Sequence, residues 1–345
     1  MRKYAGIKPK FAQEFTGFSG TPKMFRSRFR GETDDITRLY SAADIRKIRM
    51  SLIGMPVGTR RPQTIPPIIN VRMAKGGTGK STTASNVVAC AAMMGYRTLV
   101  IDGDPQSSLS SIFGVDWVQQ EVIHIGELMR RANTKNETVR IREAVVPIYG
   151  DGMLDLIAAD ISMSSADGWM MQLLNREQAF VRLLEKEIDF FSEYDVIVID
   201  SAPSSSLLTT AFMVACKTIL AVIMPEGQSL KALDILASNI QELNDAFPNK
   251  KYGVHIVVNR YNQSKRPHQE VLAQIIERYR PYLNDTIVRD FVGFLRETDS
   301  KDGKIPGPVL ENESNSVGAR DIIDLTKSLI KLYGIKLGDS GAVTA

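Results

Sequence analysis

The chain has 345 residues, 43% of them apolar and 24% charged, which is the balance of a soluble globular protein with one large domain and an appendage, or two domains. No run approaches the roughly 18 apolar residues of a membrane span, and the opening MRKYAGIKPKFAQEF has no apolar core behind its basic residues, so it does not read as a secretory signal. The net charge of +4 is unevenly spread: residues 1–61 hold 14 Lys and Arg against 5 Asp and Glu, and the remainder 29 against 34. A basic arm on a mildly acidic body suggests contact with a polyanion, or else a solvated tail. Two cysteines, Cys90 and Cys216, sit in apolar stretches and read as buried thiols rather than metal ligands.

Residues 1–31 are rich in Gly, Lys, Arg and Phe without periodicity, and the expectation is a loosely structured segment. The stretch that follows is helical in pattern. Ser41 caps it, Asp44 falls in its first turn, and Ile45, Ile48 and Leu52 recur at helical spacing. Proline-rich residues 56–67 read as a linker. Short continuous apolar runs then appear at 68–71, 98–102, 154–159, 194–200, 218–225 and 253–259, with a seventh expected at 286–292. Continuous rather than alternating runs indicate strands buried on both faces. Helical patterns such as SNVVACAAMMG and FVRLLEKEIDFF lie between them, so the expected fold is α/β, a doubly wound, mostly parallel sheet flanked by helices.

The first run leads into RMAKGGTGKS and then a helix, the context in which a glycine loop can cradle phosphates: backbone N–H groups turn inward and the helix presents its N-terminus to negative charge. Lys80 is placed to reach β- and γ-phosphates, Ser81 to ligate Mg2+, and Thr82 to donate to an α-phosphate. The usual loop opens on glycine; here Ala74 comes first and Lys75 second. LVIDGDPQSS puts Asp102 and Asp104 at the tip of the second strand. YDVIVIDSAPS puts Asp200 at the tip of another, where a carboxylate can hold Mg2+ through water. These tips converge on one edge of the sheet, where such folds bind ligands.

KGGTGKS resembles the deviant Walker A motif, and DGDPQ the companion motif, of the ParA partition ATPases. The resemblance runs from about residue 68 to 329 and includes LDLIAADISMSSAD, VIMPEGQSLKALDIL, VVNRYNQSKRPHQEVL and PVLENESNSVGARDIIDL. YSAADIRKIRMSL resembles the stretch before the ATPase domain in larger, plasmid-type members, although too few residues precede it for their complete helix-turn-helix module. The resemblance divides the chain into a basic N-terminal region at 1–61 for DNA binding or dimerisation, a linker at 62–67, an ATPase domain at 68–332 and a tail at 333–345. It implies ATP and Mg2+, an ATP-dependent homodimer, and a Lys75 that reaches across to the partner's nucleotide as an arginine finger does, a contact worth about 10³–10⁵ in rate. Catalysis would rest on Lys75, Lys80 and Asp104. The nucleotide would be held by Lys75, Gly76, Gly77, Thr78, Gly79, Lys80, Ser81 and Thr82, with Asn259 near the adenine. Ser81, Asp102 and Asp200 would serve the metal, and Asp102 and Asp104 could exchange roles.

The same resemblance implies slow hydrolysis stimulated by a ParB-type centromere-binding partner. It also implies non-specific double-stranded DNA binding through Lys265, Arg266, Arg289, Arg296, Lys301 and Lys304, and a cytoplasmic protein associated with the nucleoid in the ATP state. Three alternatives stay open: a MinD-like membrane-associated ATPase using DLTKSLIKLYGIKLG, an ATPase that positions a protein cargo, and an ATP-responsive autoregulator of a partition operon. No membrane partner is expected. Electron-transfer relatives need cysteines between subunits, and Cys90, on the helix behind the loop, is badly placed for that.

Overall fold

Residues 6–29, 39–55, 63–116, 118, 120–297 and 307–338 are described by a computed structural model. In chain order, α1 (Pro9–Thr16), α2 (Pro22–Phe29) and α3 (Ala42–Leu52) precede β1 (Ile68–Arg72). Next come α4 (Lys80–Met93), β2 (Thr98–Gly103), α5 (Ser108–Ile112), α6 (Ile125–Asn133), β3 (Val145–Tyr149) and β4 (Leu154–Ile157). The second half holds α7 (Ala166–Met170), α8 (Ala179–Lys186), α9 (Ile188–Phe191), β5 (Val196–Ser201), α10 (Leu207–Ala215) and β6 (Thr218–Ile223). It closes with α11 (Gly227–Ala246), β7 (Gly253–Val258), α12 (Arg266–Tyr279), α13 (Val309–Asn312) and α14 (Val317–Leu332).

The strands form one sheet in the order β3-β4-β2-β5-β1-β6-β7, parallel except for β3. β1, β2, β4 and β5 are buried at every position, as continuous apolar runs require of strands covered on both faces. One face carries α4, α14 and the N-terminal helices, and the other α6, α8, α10, α11 and α12. β1 is central, between β5 and β6, so the loop leaving it opens at the carboxyl edge beside the ends of β5 and β2.

Two strand expectations differ from the structure. Residues 286–292 are not a strand: Val288 N–H donates to Val258 O and Tyr261 N–H to Val288 O, but the pairing stops at a single bridge between Tyr261 and Arg289. Asp290 N–H donates to Tyr261 O, and the intervening Arg289 amide, turned the other way by the alternation of an extended backbone, donates to the Asp321 carboxylate at 3.0 Å. β3, in turn, was not among the expected strands. It is an edge strand with Pro147 inside it and a register shift between Pro147 and Tyr149, where a missing amide is tolerated because nothing pairs beyond it.

The larger difference lies in the first 31 residues, expected to be loose. They contain α1 and α2, each with proline in its first turn, where the missing N–H costs nothing. Phe25 is fully buried and stands 5.2–5.6 Å, ring to ring, from Phe18, Phe29 and Tyr40. Ile7 and Tyr40 exchange backbone hydrogen bonds of 2.7 and 2.9 Å. α3 begins as expected at Ser41, in a full capping box with Asp44. It is pinned by Arg46, 5% exposed, which donates to Gly95 O at 3.0 Å and to Asp195 at 2.5 Å. Asp195 also accepts from the Arg97 and Gly338 amides. Glu14 of α1 receives Arg320 and Lys327 of α14. The N-terminal helices are thus part of the same apolar cluster as α4 and α14. Leu325 and Leu329, in the segment offered for a membrane helix, are buried in that cluster too. Among the described residues no helix is long and apolar enough to cross a membrane.

Asp195→Ala removes the carboxylate from a buried guanidinium and is expected to cost about 3–5 kcal/mol, read as a lowered denaturant midpoint. A loss under about 1 kcal/mol, the range of a surface pair, would contradict the anchoring role.

Candidate functional site

β1 ends at Arg72, and residues 73–79 turn over the carboxyl edge before α4 begins at Lys80. Gly77 and Gly79 have φ of +75° and +85°, a region that side chains disfavour. A Cβ on Gly79 would also collide with the Asn259 amide. Asn259, at the end of β7, donates from Nδ2 to Thr78 O at 2.9 Å and from its backbone N–H to Ile223 O at 2.7 Å. In this structure it braces the glycine loop from behind.

Lys80 is buried at the N-terminus of α4. Burial pushes its ammonium pKa down, opposed by the charges of Asp200 and Asp104, while Arg72 adds to the depression. Asp102 and Asp200 stand directly opposite each other in the register of β2 and β5, both buried. Their environments differ. Asp102 accepts from the Ser110 amide (2.9 Å), the Ser110 hydroxyl (2.7 Å) and the Asp104 amide (3.2 Å), so its lone pairs are largely used in holding the loop after β2. Neither oxygen of Asp200 has a hydrogen-bond partner among the described residues. Burial and then the Asp102 charge raise its pKa, and the nearby Ser81 hydroxyl only partly opposes them. The Thr78 hydroxyl is likewise buried without a partner.

These orphaned atoms fit a phosphate chain with its divalent cation. Thr78 and Lys80 are donors facing inward, and Asp200 with Ser81 is an oxygen pair suited to a hydrated hard cation that takes its other ligands from phosphate and water. Among the described residues no group of three or more His, Cys, Asp or Glu could form a cage on its own. Asp104 is half-buried, with Oδ1 accepting from Gln106 N–H, nearer to solvent than Asp102 and free to address a water.

Lys75 stands apart from this cluster. Its Nζ lies 2.5 Å from Glu226 Oε2, with side-chain exposures of 23% and 42%. That hydrogen bond holds the Glu226 carboxyl below its usual range. Glu226 immediately precedes α11 and was not singled out from the sequence. Its signal was an acidic residue between a strand end and a helix in VIMPEG. Arg72 was also missed, although a charged residue closing an apolar strand run is visible in IINVR.

Of the basic residues expected on DNA, the three arginines are each paired with a carboxylate. Arg289 makes a two-point contact with Asp321, Arg296 pairs with Glu313 at 3.3 Å, and exposed Arg266 pairs with Glu270 at 2.8 Å. Lys265 precedes α12 and is exposed. Lys301 and Lys304 lie outside the described residues.

A glycine loop closed by a buried lysine, with a metal-ready carboxylate one strand away, defines the P-loop nucleotide-binding class. Within it, a family model described as an AAA domain matches residues 67–253, more than half of the chain, and the chain belongs to that family and to its ParA-type P-loop ATPases. It is 27% identical over 285 residues to the cell division protein PomZ of Myxococcus xanthus, covering 82% of each chain. It is 25% identical over 260 residues to the chromosome-partitioning ATPase Soj of Treponema pallidum, covering 75% of this chain and 95% of that one. The fold is similar to that of Cyanothece McdA in an ATP complex, with a TM-score of 0.63 at 16% identity over 80% of this chain and 99% of that one.

With its pKa raised, Asp200 binds a proton more readily folded than unfolded, so in the nucleotide-free chain stability falls as pH rises above the usual carboxylate range. Asp200→Asn in EDTA is expected to raise stability near pH 8 by roughly 1 kcal/mol or more. It should also flatten the decline from about pH 5 to about pH 8 and abolish turnover. Calorimetry at both pH values checks this, and an unchanged midpoint would contradict it.

Proposed function

We propose that this chain is an ATP-driven DNA partition switch: ATP with Mg2+ drives sandwich dimerisation, the dimer binds DNA without sequence preference, and hydrolysis stimulated by a ParB-type partner releases it. The observation that carries the reading is the position of Lys75. Its ammonium is held by Glu226 on a partly exposed side chain, while Lys80 is buried beside the carboxylates of its own subunit. A lysine at the loop's front that is paired with Glu226, and not with Asp104 or Asp200, is available to leave that carboxylate for the phosphates of a second subunit.

Lys80 and the inward amides of residues 76–79 hold the phosphates, Ser81 and Asp200 hold the metal, and Asp104 orients the attacking water. Mg2+ supplies neutralisation of the phosphate charge that builds up during transfer. Asp102, engaged by Ser110 and Asp104, keeps the loop carrying Asp104 in place. Asn259 holds the glycine loop and, through it, the nucleotide's seat. Because hydrolysis needs the partner's Lys75, the dimer's lifetime sets the time spent on DNA. Lys265, Arg266, Lys301 and Lys304 are the phosphate contacts in this reading; Arg289 and Arg296 contribute less while Asp321 and Glu313 hold them. The ATP state would then be nucleoid-associated within the cytoplasm, and copies of a plasmid or chromosome would be drawn apart along the resulting gradient.

The relatives include a cell division protein and a chromosome-partitioning ATPase, so a second reading is that the same switch places a protein cargo. Fluorescence anisotropy of a labelled random-sequence duplex separates the readings. Binding is expected only with ATP, with log affinity falling linearly in log salt. No binding in any nucleotide state would overturn the DNA partition reading and leave the protein-cargo one.

A further inference from the structure

α10 and α11 share an apolar cluster through Met213, Val214 and Leu236. With residues 175–178 they frame a cleft of about 610 Å³, within the size range of small-molecule sites. Its wall includes Arg72, Ser205, Thr210, Asn239, Glu242 and Glu177. Nothing in it comes from the glycine loop, Asp102, Asp104, Asp200 or Asn259, so it is separate from the nucleotide site.

Arg72 makes the cleft unusual. It is the last residue of β1 and only 2% exposed. Nη1 donates to Ser204 O at 3.1 Å, Nη2 reaches Ser205 Oγ at 3.5 Å, and Nε has no acceptor among the described residues. Burial lowers its pKa, and among the described residues no carboxylate acts against that. Two residues back on the same strand face, Asn70 Nδ2 is also buried without an acceptor. A buried guanidinium with no counter-charge costs several kcal/mol, and its planar fork is the side chain best matched to carboxylate or phosphate oxygens.

We infer that the cleft between α10 and α11 is a second ligand site, in which Arg72 receives the carboxylate or phosphate head of a small organic anion. The opposite wall limits what can enter. Glu177 and Glu242 would repel a second negative charge, and with the Asn239 amide oxygen would accept from amine or hydroxyl groups, so the ligand carries one anionic head and a neutral or positive polar tail. A polyanion such as DNA does not meet that description. The head would compete with the Ser204 carbonyl for the guanidinium. Ser204 and Ser205 lie just after Asp200 and lead into α10, so occupancy bears on the segment next to the metal carboxylate.

The test uses the full chain with its phosphate loop saturated by AMPPNP and Mg2+, so that added anions cannot fill that site. Thermal midpoints are followed against inorganic phosphate in one arm and glycolate, a single carboxylate with a hydroxyl tail, in the other, with chloride at matched ionic strength as the baseline. A saturable rise in at least one arm is expected, and the responding arm identifies the head group. Arg72→Met should weaken it about tenfold or more, the worth of one charge-assisted hydrogen bond. Asn239→Phe, which fills the cleft without touching the buried charge, should abolish it with the fold intact. No rise above the chloride baseline in either arm, or a rise undiminished in both variants, would overturn the assignment.

Discussion

Two aspartates that cannot move apart set the terms for this structure. Asp102 and Asp200 are opposite partners in adjacent parallel strands, both buried, and two negative charges so placed oppose each other as well as their own desolvation. The fold's response is to treat them differently. Donors from residues 104 and 110 surround Asp102, while Asp200 is left open beside Ser81 and under the influence of Lys80. An unsatisfied carboxylate inside a protein is expensive, and a phosphate-bound cation is what makes its retention intelligible. The bracing of the glycine loop by Asn259 serves the same end, since the loop must hold its shape before the anion arrives.

The sheet was legible in the sequence because parallel strands covered on both faces read as unbroken apolar runs, and β1, β2 and β5 are such strands. The chemistry was legible for a related reason: in this topology the end of such a run sits on the carboxyl edge, as Asp102 and Asp200 do, and the glycine loop leaving β1 brings Lys80 to the same edge. Edge elements carried weaker signals. β3 contains a proline and pairs on one side, so it lacks the continuous run. Residues 286–292 are interrupted by Arg289 and Asp290, and they pair with the chain after β7 only through a single bridge.

Long-range pairing was not legible at all. Nothing local marks Glu226 as the partner of Lys75, 151 residues earlier, or Glu14 as the partner of Arg320 and Lys327. The N-terminal helices were hidden for a related reason. Eight-residue helices give too few turns for periodicity, and their stability comes from an aromatic cluster and from docking on α4 and α14 rather than from their own propensity. The excess of positive charge in this region is therefore carried in part by packed elements: Arg46 is spent internally on Asp195, while Lys10, Lys23, Arg26 and Arg28 are on the exposed side.

In the proposed switch Lys75 acts on a partner's nucleotide. Steady-state ATP turnover of mixed inactive variants tests it most directly. Lys75→Ala lacks the crossing lysine and Asp104→Ala lacks its own water-orienting carboxylate, so each homodimer should be silent. A heterodimer pairs the intact Asp104 of the first with the intact Lys75 of the second and contains one complete site. Equal mixing should restore about a quarter of wild-type turnover, since random exchange makes about half of the dimers mixed and one of their two sites complete. A mixture no more active than the two variants measured separately would contradict the account.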